Sequence, residues 1–179
     1  MAHGAGLVLV GIAGLPGAGK STVAAHLAGA LGLRRACRDE IRRAMFPDCR
    51  WSPMERRAAF RAALLAARVN LTLGCATVLD GITLSRERER VKAAAVARAA
   101  GAAWVLLWLD LPAALARERV AADGAAHPAA DRTPRLVDAV AERFERPSAA
   151  AWIDASQAPD AVSAQAEAVV RERLAGAPA

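Results

Sequence analysis

The sequence predicts an α/β fold in which a parallel five-stranded sheet lies between layers of helices. Three observations predict it. Short apolar runs alternate with longer helical stretches along the 179 residues, the pattern of strands joined by crossover helices. The first run, Leu7–Ala13, has no polar residue, as a strand buried on both faces requires. A glycine-rich segment, GLPGAGKS (14–21), joins that run to the first helical stretch.

The elements are justified in order. Lys20–Leu31 reads as a helix with Val23, Leu27 and Leu31 on one face. A brief run around Arg35–Cys37 reads as a second strand ending at Arg38 and Asp39, and Asp39–Phe46 as a short helix stopped by Pro47. Ser52, Pro53 and Glu55 are the N-cap, first and third positions of a helix running to about Leu73, before Gly74. Ala76–Leu79 is a strand ending in Asp80, and Ser85 is expected to cap an Arg/Glu-rich helix to about Ala100. The apolar run Ala103–Leu109 is the strongest strand and ends in Asp110. Pro112–Ala122 is helical, and Asp123–Arg132 is a loop rich in Gly, Pro and Asp. Thr133 and Pro134 restart a helix to about Phe144. Ala151–Ile153 is the last strand, and Asp160–Leu174 a closing amphipathic helix.

Length and continuity favour one domain over residues 1–179, with no repeat and no linker. The three cysteines, Cys37, Cys49 and Cys75, form no CxxC pair, which argues against a disulfide framework or a zinc site and fits a reducing compartment. The N-terminal apolar run is too short for a membrane span and lacks a basic leader. A soluble cytoplasmic protein is the expectation. The formal charge of +6 suits an acidic partner such as a nucleotide. No Lys/Arg run is interleaved with aromatics, and Tyr is missing.

The glycine-rich segment carries the chemistry. Gly14, Gly19, Lys20 and Ser21 fit G-x-x-x-x-G-K-[ST] between a strand and a helix. Such a loop, Gly14, Leu15, Pro16, Gly17, Ala18, Gly19, Lys20, Ser21 and Thr22, can curl its backbone N–H groups around phosphates, helped by the helix dipole. Ser21 can offer a hydroxyl to Mg²⁺, and Thr22 can serve nearby polar groups. The chain writes nearly every positive charge as Arg and keeps only Lys20 and Lys92. A compact ammonium fits between β- and γ-phosphates where a planar guanidinium does not. Lys20 therefore reads as a chemical requirement.

Other segments resemble the small P-loop kinases of the polynucleotide-kinase, zeta-toxin and chloramphenicol-phosphotransferase group, AAA-family ATP-binding kinase-like proteins. CRDEIRRAMFP (37–47) resembles the acidic-Arg segment after their second strand, and VLDGITLSRERERVKAAA (78–95) their third strand and following helix. LLWLDLPAALARERVAA (106–122) is similar to the fourth strand and the helix entering the lid, and VAERFERP (140–147) to the stretch after it. The likeness covers most of the chain. It implies a three-layer P-loop NTPase fold with sheet order 2-3-1-4-5 and a small helical lid at about residues 117–135.

The resemblance also implies roles. Asp39 would be the general base or orienting carboxylate facing an acceptor hydroxyl, with Arg42 contacting the acceptor; at i, i+3 both side chains share a helix face. Asp80 and Asp110 both end apolar strands and compete for the place near the metal, and pattern alone favours Asp110, which follows the longer run. The resemblance favours Asp80 for an indirect Mg²⁺ or acceptor contact and makes Asp110 a helix-start carboxylate. Thr83 falls where an acceptor pocket is expected. Arg117, Arg119, Arg132 and Arg135 flank the loop, with Arg117 and Arg132 first choices to close over the phosphates. Gln157 and Pro159 lie in a segment similar to the turn around adenine. The only asparagine is Asn70, so there is no N-K-x-D guanine signature, and ATP is favoured over GTP. His3, His26 and His127 receive no ligand role.

The expected function is ATP-dependent phosphoryl transfer to a hydroxyl of a small molecule: a metabolite, sugar, nucleotide-sugar or antibiotic. A polynucleotide 5′-hydroxyl kinase is the alternative within the class, less favoured because no aromatic stacking platform is evident, although Trp51 sits in the acceptor region. A regulatory ATP-binding protein without an acceptor is the alternative outside it. The acceptor and the oligomeric state stay open.

Overall fold

The computed structural model describes residues 6–123 and 133–176. Strand β1 (Val8–Gly14) lies in the middle of a five-stranded sheet, because every one of its residues is buried and only a central strand can shelter both faces. The other strands are β2 (Arg34–Cys37), β3 (Thr77–Asp80), β4 (Ala103–Asp110) and β5 (Ala151–Asp154). All pairs are parallel, and the order is β2-β3-β1-β4-β5. That is the expected order.

Side-chain alternation along β1 divides the core in two. Val8, Val10 and Ile12 face one cluster, which also holds Val23 and Leu27 of α1 (Lys20–Leu31) and Val162 and Val170 of α7 (Pro159–Gly176). Leu9 and Ala13 face the other, with Ala63 and Leu71 of α3 (Pro53–Thr72) and Ala93 of α4 (Glu87–Ala99). Each fully buried Leu or Val contributes about 1.5–3 kcal/mol relative to exposure. Across the layer, His26 of α1 meets Glu167 of α7 at 2.7 Å, so this histidine is a structural tie.

The remaining helices are α2 (Arg38–Met45), α5 (Ala113–Asp123) and α6 (Pro134–Ala141). Residues 124–132 of the expected lid, with Arg132 and His127, lie outside the described residues, as does His3. Among the described residues no helix is long and apolar enough to cross a membrane.

Two boundaries differ from expectation. Ser85 does not cap α4; the chain is still extended at Arg86, and Glu89 reaches back to accept the Arg86 N–H at 3.2 Å. Ser85 is instead buried, its hydroxyl accepting from Thr83 Oγ1 at 3.3 Å. α6 stops at Ala141 rather than near Phe144. The chain turns there so that Phe144 stacks on Trp108, with ring centroids 6.3 Å apart, and the Glu145 N–H donates to Ser85 O at 2.8 Å.

Candidate active site

β1, β2 and β3 all end on one side of the sheet, where the chain direction diverges between β1 and β4, and ligands of open parallel sheets collect at such a point. From the end of β1 the glycine loop turns into α1. The Gly14 N–H donates to Thr83 O at 3.1 Å, tying the loop to the segment after β3. Gly17 has φ of +88°, and a Cβ there would sit 2.8 Å from the Ala116 carbonyl and 3.2 Å from Val120 Cγ2. The loop is thus packed against α5 with no room for a side chain. Gly19 caps α1 with no side-chain hydrogen bond, leaving the N-terminal N–H groups of that helix to an anion.

Lys20 Nζ donates to Leu15 O at 2.7 Å, curling over the loop it belongs to. Ser21 Oγ donates to Asp80 Oδ1 at 2.8 Å. Asp80 is 2% exposed and fully engaged: Oδ1 also accepts the Gly81 N–H at 2.6 Å, and Oδ2 accepts Arg35 Nη2 at 2.6 Å. The hydrogen bond to Asp80 raises the pKa of Arg35 above the ordinary arginine value, outweighing its partial burial. Asp110 lies elsewhere, accepting from Trp152 Nε1 at 3.0 Å on the β5 side. Of the two strand-end aspartates, Asp80 is the one that meets the loop hydroxyl.

Asp39 opens α2 across the cleft. Its Oδ1 accepts from Arg38 at 3.2 and 3.0 Å and from Arg42 Nη2 at 2.9 Å. Arg42 is 2% exposed and its guanidinium lies 3.7 Å from the centre of the Trp51 ring, a cation–π contact that fixes its plane. Trp51 thus serves an arginine inside the protein. Beside them, burial pushes the Cys37 thiol up, so that sulfur is a packing group and not a nucleophile.

The resulting cleft has a volume of about 690 Å³, in the size range of small-molecule sites. Lys20, Ser21, Thr22, Asp39 and Thr83 all line it. A smaller hollow of about 60 Å³ adjoins it, bordered by Ala18, Thr22, Gln157 and Pro159. Gln157 Oε1 accepts from Gln165 at 3.0 Å. Arg117 does not line the cleft; it pairs with Asp138 at 2.7 Å and ties α5 to α6. Arg119, two residues on and so on another face of the helix, lines both cavities and donates to Ala155 O at 3.0 Å. Arg38, Arg56 and Arg143 also line the cleft and were not singled out in the sequence. Arg56 follows the capping Glu55 and Arg143 falls within the VAERFERP segment, but nothing in their spacing separates them from the other arginines.

The residues present suit a nucleotide triphosphate with its cation. Gly17 holds a cradle that a Cβ would fill, Lys20 supplies an ammonium, and Ser21 with Asp80 supplies hard oxygen donors of the kind Mg²⁺ takes. Among the described residues no three His, Cys, Asp or Glu side chains group so as to hold a metal ion by themselves.

Known structures share this architecture. A sugar kinase from a Janibacter species superposes with a TM-score of 0.72 at 18% identity, over 97% of this chain and 99% of that one. The Mycobacterium tuberculosis APS kinase in complex with AMPPNP and APS gives 0.68 at 21%, over 94% and 97%. Chaetomium thermophilum Kti12 in complex with ADP-AlF3 gives 0.73 at 18%, over 94% and 100%. At these identities the likeness establishes the fold, that of a P-loop NTPase. No curated protein matches the sequence. The family model for an AAA domain matches residues 9–147, and the chain therefore belongs to that AAA domain family, with a P-loop kinase-like architecture.

Proposed function

We propose that the protein transfers the γ-phosphoryl group of ATP to a hydroxyl of a small-molecule acceptor. The observation that carries this reading is that Asp39 lines the same cleft as Lys20 and Ser21. The loop N–H groups and the start of α1 bind the phosphates, and Lys20 leaves the Leu15 carbonyl to reach between the β- and γ-phosphates. Ser21 would hold Mg²⁺, with Asp80 behind it orienting the hydroxyl; the cation supplies charge neutralisation on the phosphate oxygens. The segment around Gln157 and Pro159 cups the base. Arg119 takes the place by the phosphates that Arg117, turned to Asp138, leaves open; Arg132 lies outside the described residues.

On the other side, Asp39 accepts the acceptor's proton as the new O–P bond forms and the bond to the β–γ bridging oxygen breaks, releasing ADP. Arg42 fixes the Asp39 carboxylate from a buried position.

The test is γ-phosphate transfer from labelled ATP to a panel of small hydroxyl compounds and a 5′-hydroxyl oligonucleotide. Asp39→Ala and Asp39→Asn are each expected to lower transfer about a hundredfold or more while ATP affinity stays at the wild-type value. Preference for the oligonucleotide would move the acceptor class. Acceptor-independent turnover indifferent to both substitutions would leave a regulatory ATP-binding protein in place of a kinase.

A further inference from the structure

The acceptor side of the cleft carries two arginines with which no carboxylate pairs among the described residues. Arg56 lies in the first turn of α3, which follows the α2 helix bearing Asp39, and Arg143 lies in the turn after α6. Both line the cleft with Asp39 and Thr83. Elsewhere the arginines of this region are matched: Arg35 with Asp80, Arg38 and Arg42 with Asp39, Arg117 with Asp138. Among the described residues, Arg56 and Arg143 make no ion pair and no side-chain hydrogen bond. Partial burial, together with the charges of Arg86 and Arg56, holds the Arg143 pKa below the ordinary arginine value. Glu89 acts on Arg143 in the opposite sense without pairing with it, and its carboxylate also accepts the Arg86 N–H at 3.2 Å.

Both arginines stand on firm backbone. Arg143 is set by its neighbours: the Glu145 N–H donates to Ser85 O at 2.8 Å, Glu145 Oε2 accepts the Glu87 N–H at 2.5 Å, and Phe144 stacks on Trp108. Arg56 follows Glu55, which closes the α3 capping box with Ser52. Their place also separates them from the nucleotide. Arg119 reaches Ala155 beside the Gln157 hollow, whereas Arg143 feels Arg86, at the start of α4 after β3, and Arg56 of α3. Both side chains face solvent in the cleft, so their guanidinium groups are open to a ligand oxyanion, which two arginines take by charge-assisted hydrogen bonds.

We infer that the phosphoryl acceptor is itself anionic, a hydroxyl compound whose carboxylate or phosphate monoester is gripped by Arg56 and Arg143 while its hydroxyl faces Asp39. This rests on the phosphotransfer reading and narrows its substrate class. A guanidinium pair suits a planar or tetrahedral oxyanion through forked hydrogen bonds, and neutral polyols would leave both cations unmatched.

The experiment saturates the phosphate loop with Mg·AMP-PNP and then titrates sodium sulfate and, separately, sodium acetate at constant ionic strength, following heat. Saturable binding of at least one oxyanion is expected. The Arg56→Gln/Arg143→Gln double variant should weaken it about ten- to a hundredfold, with Mg·AMP-PNP affinity unchanged. Preference for sulfate assigns a phosphate monoester, and preference for acetate assigns a carboxylate. Nucleotide-loaded wild type that binds neither oxyanion, or a double variant that binds as well as wild type, overturns this inference alone. Failure of Mg·AMP-PNP to bind overturns the phosphotransfer reading and this one with it.

Discussion

At Gly81 the chain leaves β3 with φ of +69°, and a Cβ there would stand 3.0 Å from Asp39 Oδ2 and 3.1 Å from the Asp39 backbone nitrogen. Glycine is therefore required at this position twice, by backbone conformation and by the space Asp39 occupies. Gly81→Ala is expected to cost about 1–2 kcal/mol of stability from the left-handed backbone alone. The new methyl also displaces Asp39, so transfer should fall about a hundredfold while ATP affinity holds; chemical denaturation and the labelled-ATP assay read the two effects. Transfer at the wild-type rate would show that Asp39 is not held by this contact. Much at this scale was legible in the sequence. Lys20 and Ser21 announce themselves by spacing, and Asp39 and Asp80 by the resemblance of their segments to the small P-loop kinases. The arginines were not legible. With nearly every cation written as Arg, each helix start and turn offers one, and only tertiary structure decides that Arg117 meets Asp138 while Arg119 enters the cleft.

Helix α3 shows how a local signal sets an element. Ser52 Oγ accepts the Glu55 N–H at 3.2 Å, and Glu55 Oε2 accepts the Ser52 N–H at 2.6 Å. The Arg50 and Ser52 N–H groups, both donating to the Glu55 carboxylate, hold its pKa below the ordinary glutamate value, Arg50 making the larger contribution. Ser52→Ala is expected to lower stability by about 1 kcal/mol, measured as a reduced urea midpoint with unchanged slope. No change would mean that α3 is set by packing alone. This start was readable because a capping box lies within four residues. The start of α4 was misread for the opposite reason: Ser85 has the right side chain for a cap, but burial and its carbonyl bond to the Glu145 N–H place it outside the helix. The early end of α6 has the same origin, since Phe144 is drawn off the helix axis to Trp108. Long-range partners overrode local preference in both places.

Across the whole molecule, the parallel order β2-β3-β1-β4-β5 gathers the glycine loop, Asp80 and the start of α2 at one end of the sheet. Alternating apolar runs made the strands legible, and the resemblance to the small P-loop kinases made the order an expectation. The apolar pattern alone favours Asp110 over Asp80, and the structure separates them the other way, because β3 delivers Asp80 to Ser21 while Asp110 is taken by Trp152. The sheet thus brings the glycine loop and the Asp39 carboxylate to the same cleft. Isothermal titration of the folded protein with Mg·ATP tests that most directly. The account predicts saturable one-to-one binding that Lys20→Ala weakens at least about tenfold. Absence of saturable heat in the wild type, or equal affinity in the variant, would contradict it.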